Sequence, residues 1–169
     1  MSLPVQPAPW SGPGPLPART TSAGALPGAG RGTAGLRLTG GPAACGRARE
    51  FTERVLDDWE LDQVRDDALV VVSELVANAV LHGLRDDAGE GAESEVLLRL
   101  KRRAAHLMCA VTDRSETLPS PARGGASLDE GGRGLIIVEG LSRHWGWTRC
   151  VPTGKTVWAM LPTEARVPR

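Results

Sequence analysis

The sequence predicts an α+β fold, a two-layer sandwich in which a mixed, mainly antiparallel sheet carries helices on one face. Three observations predict it. Two segments before residue 83 place apolar residues at helical spacing. Two later stretches, Glu95–Arg103 and His106–Asp113, alternate in the manner of neighbouring half-buried strands. The length of 169 residues suits one domain, and helices grouped beside such a sheet pack as two layers.

The elements follow in chain order. Residues 1–34 read as a disordered tail. Residues 1–44 hold 8 of the 13 prolines, in stretches such as Pro13-Gly14-Pro15-Leu16-Pro17. A segment so poor in apolar side chains cannot offset the entropy of ordering. The folded domain is expected over 35–163, with a short C-terminal tail at 164–169. Leu36-Arg37-Leu38 reads as a short first strand. Ala44 to about Trp59 reads as a helix, with Phe51, Val55 and Leu56 on one side. Asp62 suits the N-cap of a second helix, which should run to about His82 and stop at Gly83. Residues 85–93 form an acidic, glycine-containing loop. The strand Glu95–Arg103 puts Val96, Leu98 and Leu100 on one face. Ser115–Gly131 is a long loop, of a length that is often functional. A helix from about Arg133 to Ser142 follows. Strands at Trp145–Cys150 and Lys155–Leu161 close the chain, joined by a turn at Pro152-Thr153-Gly154.

Composition excludes several classes. Acids and bases balance at 20 each, with a pI near 6.8, whereas nucleic-acid modules carry a strongly basic face. Residues 1–44 contain Arg19, Arg31 and Arg37 and no acid, so 45–169 carry 17 bases against 20 acids. Cys45, Cys109 and Cys150 are odd in number and form no C-x-x-C pair. They fit neither a disulfide framework nor a zinc site and point to a reducing compartment. The longest apolar run, around Ala68–Val72, is far short of the roughly 20 residues that span a bilayer. The N-terminus lacks the basic and apolar regions of a secretory signal. A cytoplasmic protein without membrane or direct nucleic-acid contact is expected.

The most informative stretch is Val70-Val71-Val72-Ser73-Glu74-Leu75-Val76-Ala77-Asn78-Ala79-Val80-Leu81-His82-Gly83. Apolar residues crowd most faces, yet Glu74, Asn78 and His82 recur at i, i+4 and i+8 on one stripe. The stripe either faces solvent as a narrow polar seam or lines a site. Further on, a strand ends in Asp113. Glu130-Gly131-Gly132-Arg133-Gly134-Leu135 then leads into an apolar helix, where glycines and a helix N-terminus can meet phosphate oxygens. Gly154-Lys155-Thr156-Val157-Trp158 opens the last strand. Other candidates are weaker. His106 and His144 have no partners at metal spacing, Ser142 lacks a His/Asp context, and Cys109 sits in an apolar strand. Trp145 and Trp147 point the same way along a strand, as packing residues or a partner surface.

The ordered set is more specific than any part: E-x-x-x-N on a helix, Asp ending a strand, a Gly-rich loop into a helix, then G-K-T on a strand. It resembles the ATP-binding domain of the gyrase, histidine kinase and MutL superfamily (GHKL, the Bergerat fold). Within that superfamily it looks most like the small anti-sigma factor serine/threonine kinases of actinobacterial type. The resemblance covers roughly residues 36–162. It implies that Asn78 ligates Mg²⁺ on the nucleotide phosphates and that Glu74 is the catalytic carboxylate. It implies that Asp113 accepts a hydrogen bond from the adenine amino group. Gly132, Arg133, Gly134 and Leu135 would meet phosphate from the lid, with His82 nearby, and Thr156 would complete the adenine pocket. The partners implied are a sigma factor and an anti-sigma factor antagonist protein, and such kinases commonly form homodimers.

One departure bears on binding. The family's aspartate usually opens D-x-G-x-G, and here it opens Asp113-Arg114-Ser115-Glu116-Thr117. Both glycines are replaced, which implies altered nucleotide binding rather than its loss. Two functions follow: a regulatory protein serine/threonine kinase, or a nucleotide-dependent interaction module without transferase activity.

Overall fold

A computed structural model of the chain describes residues 32–86, 95–119 and 131–164. Of the tail expected over 1–34, residues 1–31 lie outside the described residues, as do most of the two expected loops at 85–93 and 115–131, while Thr33 and Ala34 belong to the first strand, so the folded domain starts earlier than expected. The element order is β1 (Thr33–Thr39), α1 (Ala44–Asp58), a single 3₁₀ turn (Asp62–Val64), α2 (Arg65–Asp86), β2 (Glu95–Arg102), β3 (His106–Asp113), α3 (Gly131–Leu141), β4 (His144–Arg149) and β5 (Lys155–Pro162). The five strands form one sheet in the order β1-β2-β3-β5-β4. Every neighbouring pair is antiparallel, so the parallel component that the sequence left open is not present among them.

Period-2 alternation decides which face each strand residue takes. Val96, Leu98 and Leu100 of β2 point with Leu107, Cys109 and Val111 of β3 toward the helices and are fully buried. The same parity in β5 sends Val157, Ala159 and Leu161 to that side. The helices cover this face. α1 contributes Ala48, Phe51, Val55 and Leu56, and α2 contributes Val71, Val72, Leu75 and Val76. Trp145 packs on this core, while Trp147, two residues along the edge strand, is left exposed. Cys109 lies in the core with its thiol pushed up to about 12 by burial, which makes it an inert packing residue. All three cysteines are free.

Two helix ends differ from the sequence expectation. Asp62 does not cap α2. It opens the 3₁₀ turn, and α2 begins at Arg65, whose guanidinium pairs with Asp57 and Asp62. Asp66 and Asp67 then sit in the first turn, where the helix dipole favours acids. At the other end α2 runs through Gly83 to Asp86. A glycine lowers helix stability by only about 1 kcal/mol, so it is a weak stop signal when tertiary packing holds the helix. No described helix is long and apolar enough to cross a membrane.

α1 ends in a motif invisible to apolar periodicity. The Leu61 amide donates to the Leu56 carbonyl at 3.0 Å and the Glu60 amide to Asp57 at 3.1 Å. Glu60 itself has φ 54°, which is the left-handed residue of a Schellman ending. Glycine is the usual occupant because a Cβ there costs about 1–2 kcal/mol. Glu60→Gly is therefore expected to stabilise the protein by roughly 0.5–1 kcal/mol, the strain relieved less glycine's extra unfolded-state entropy. Urea unfolding measures it, and a destabilised variant would show that the Glu60 side chain contributes more than its backbone conformation costs.

Candidate functional site

α2 carries the polar stripe to one end of the sheet. Glu74 is half-buried, Asn78 is 9% exposed and His82 is partly covered. A solvated helix face would have left Asn78 open to water. Instead its amide oxygen Oδ1 is buried with no hydrogen-bond partner among the described residues. Such an orphan is costly in a finished core, and an amide carbonyl is the hard oxygen that magnesium prefers. Asn78 thus fits a metal ligand. Among the described residues no group of three His, Cys, Asp or Glu could hold a metal by itself, so a bound cation would draw its remaining ligands from phosphate and water.

α3 crosses α2 at Glu74. A Cβ built on Gly134 would lie 2.4 Å from the Glu74 carboxylate oxygen Oε2, so only glycine lets α3 approach without pushing that carboxylate aside. α3 starts at Gly131, two residues before the position expected from the sequence. An α-helix leaves the amides of its first turn without intrahelical partners. Those of Gly132 and Arg133 are therefore the ones aimed out of the helix end. The Leu135 amide falls inside the helical ladder, and its side chain is buried. Arg133 is exposed. Leu135, expected to meet phosphate, thus has its amide committed to the helix and its side chain to the core.

Asp113 ends β3 on the helix side of the sheet, and its side chain is 2% exposed. Its Oδ1 accepts the Ser115 amide at 2.8 Å and the Lys155 ammonium at 2.9 Å, while Oδ2 is buried without a partner among the described residues. The first bond is an Asx turn, and Thr117 N donates to Ser115 Oγ at 3.1 Å to continue it. Ser115 is not among the described residues with positive φ. The serine in place of the family's first glycine therefore sits in an ordinary backbone conformation, held by these bonds. Burial raises the Asp113 carboxyl above the ordinary carboxylate range, and Lys155, the Ser115 amide and the His82 charge pull against that rise.

Thr156 is not at this site. It pairs with Thr112, and both side chains project from the helix-free face, where the two hydroxyls meet at 2.7 Å. The residue facing Asp113 is Lys155, whose side chain is 1% exposed. Parity was the available signal. Counting back by twos from Leu161, Ala159 and Val157 lands on Lys155, not Thr156. Gly154 makes the approach of the two strand ends possible. It has φ +95°, and a Cβ there would lie 2.3 Å from the Asp113 carbonyl oxygen. The structure thus joins Glu74 to α3 at Gly134 and Asp113 to Lys155, brings His82 of the same stripe close enough for its charge to act on Asp113, and places Thr156 on the other side of the sheet.

The family described as histidine kinase-like ATPase domain matches residues 38–161. No curated protein matches the chain.

The buried pair sets an expectation for pH. Asp113 holds its proton more tightly in the folded protein than in the unfolded chain. Stability therefore falls as pH rises from the unfolded carboxylate range through the folded-state value. Removing the ammonium raises that folded-state value further. Lys155→Met is expected to cost about 3–5 kcal/mol at neutral pH, the usual result of stranding one member of a buried pair. The deficit should shrink as pH falls toward about 4, where an unfolded aspartate titrates, because protonation removes the stranded charge. Urea unfolding of both proteins across that range measures it, and a deficit independent of pH would mean that Lys155 acts by packing alone.

Proposed function

The chain belongs to the histidine kinase-like ATPase domain family, an ATP-binding domain of GHKL type, and from that premise we propose a regulatory kinase. It binds ATP with Mg²⁺, sequesters a sigma factor and phosphorylates a serine or threonine of a small antagonist protein. The observation that carries the reading is the buried Oδ1 of Asn78, without a hydrogen-bond partner among the described residues and one helical turn from Glu74, whose carboxylate lies against Gly134 of α3.

The residues divide the work. Asn78 would hold Mg²⁺ through Oδ1, and the ion when bound neutralises charge on the phosphates. The first-turn amides of α3 at Gly132 and Arg133 orient phosphate oxygens. Asp113 Oδ2 accepts from the base. Glu74, fixed against Gly134, takes the proton of the acceptor hydroxyl. That oxygen forms its bond to the γ-phosphorus as the bond to the β-phosphate oxygen breaks, and ADP leaves. Phosphoryl transfer gains mostly from such positioning and charge stabilisation.

A second reading, a nucleotide-dependent interaction module without transfer, is favoured by one observation. Lys155 already occupies Asp113 Oδ1, so the base-binding end differs from a plain carboxylate.

Two substitutions separate the readings. Asn78→Ala is expected to weaken Mg²⁺-dependent ATP binding in calorimetric titration, because the ion ties the phosphates to α2. Glu74→Gln keeps the shape at Gly134, so ATP binding should persist while transfer to an antagonist protein falls by about 10²-fold, the lower end for loss of a general base. Nucleotide binding without any transfer, unchanged by Glu74→Gln, selects the interaction module. Nucleotide binding indifferent to both substitutions removes α2 from the site altogether.

A further inference from the structure

We propose that Lys155 makes the base-reading end of the pocket accept guanine as well as adenine, so that the protein takes purine nucleoside triphosphates with little preference between ATP and GTP. The proposal rests on the nucleotide-site reading above and adds the base selectivity of that site. A carboxylate set opposite the exocyclic group at purine position 6 reads adenine. It accepts from the exocyclic N6 amino group and repels the O6 carbonyl that guanine presents at the same position.

Here the carboxylate does not stand alone. Lys155 Nζ lies 2.9 Å from Asp113 Oδ1, in the helix-side layer, with both side chains almost fully buried. An ammonium has three N–H donors. One goes to Asp113 Oδ1 and a second makes a long contact of 3.5 Å to the Ser115 carbonyl. The third has no acceptor among the described residues. Asp113 Oδ2 is buried and has no donor among them either. This corner therefore holds one unused acceptor and one unused charged donor side by side.

Both purine edges satisfy that set. Adenine gives its N6–H to Oδ2 and takes an ammonium N–H at N1. Guanine gives N1–H and N2–H to Oδ2 and takes the ammonium at O6. Sites built to read one polar group reject the mismatched analogue by about 10⁴–10⁵, because a buried group is left unpaired. The ammonium removes that penalty for O6 with a charge-assisted hydrogen bond, the stronger kind. Thr156 cannot supply the contact, since its hydroxyl is bonded to Thr112 on the opposite face.

The test is calorimetric titration of the full chain with the Mg²⁺ complexes of ATP, GTP and inosine triphosphate, which shares O6 and N1–H with guanine but lacks the 2-amino group. The three dissociation constants are expected to agree within about tenfold, or roughly one step of 1.4 kcal/mol. In Lys155→Thr the ratio of GTP to ATP dissociation constants should rise by at least about 30-fold, as O6 is left without its charged donor beside a carboxylate. ATP bound about a thousandfold or more tighter than GTP by the wild-type chain overturns the proposal while leaving the nucleotide site intact. So does an unchanged ratio in Lys155→Thr. Absence of binding by all three nucleotides overturns the nucleotide-site reading itself, and the base selectivity with it. Should Lys155→Thr fail to fold, the wild-type comparison across the three nucleotides still decides.

Discussion

A carboxylate and an ammonium, 2.9 Å apart and shut away from water, hold the ends of β3 and β5 together. Removing each ion from water costs several kcal/mol even after relaxation, and mutual attraction offsets that only when further hydrogen bonds complete the arrangement. The neighbouring structure supplies them. The chain after Asp113 folds back so that the Ser115 amide reaches Oδ1 and its carbonyl faces Lys155. The chain before Lys155 turns through a left-handed glycine pressed against the Asp113 backbone. Two well-packed aliphatic residues would hold the strands at least as firmly. What the ions add is a polar corner facing the end of α2.

α2 is the other half of that arrangement. It is apolar around most of its circumference because it packs on α1, on the sheet and on α3 at once. A helix enclosed on so many sides has few positions left for polar groups, and Glu74, Asn78 and His82 occupy them. The crossing with α3 ties the stripe to the helix whose first turn carries free amides. Chemistry is therefore concentrated where three structural constraints meet: a buried helix, a glycine-limited crossing and the ends of two strands.

The layers and the strand positions were legible in the sequence because apolar periodicity is what burial imposes. The strands at His106–Asp113 and Lys155–Leu161 match β3 and β5 closely, and the stripe on α2 stood out as the exception to its own pattern. Helix ends were less legible. Asp62 and Gly83 carry local signals that tertiary contacts overrode, and Glu60 carries no signal at all for its left-handed turn. The site itself was legible as to segments but not as to parity. Resemblance pointed to Thr156, whereas the alternation of Val157, Ala159 and Leu161 already assigned the helix side to Lys155. Ser115 was read as a missing glycine. Its role in an Asx turn depends on a side-chain bond that no periodicity reports.

The contact of Gly154 with the Asp113 carbonyl has a consequence for how such a chain can diverge. Positions 113, 154 and 155 are separated by up to 42 residues along the sequence, yet no one of them can be exchanged without altering what the others need. A neutral residue at 155 strands a carboxylate, and a side chain at 154 pushes the two strand ends apart. Drift at these sites is therefore constrained to joint replacements. In related chains these three positions should be inherited as a single character.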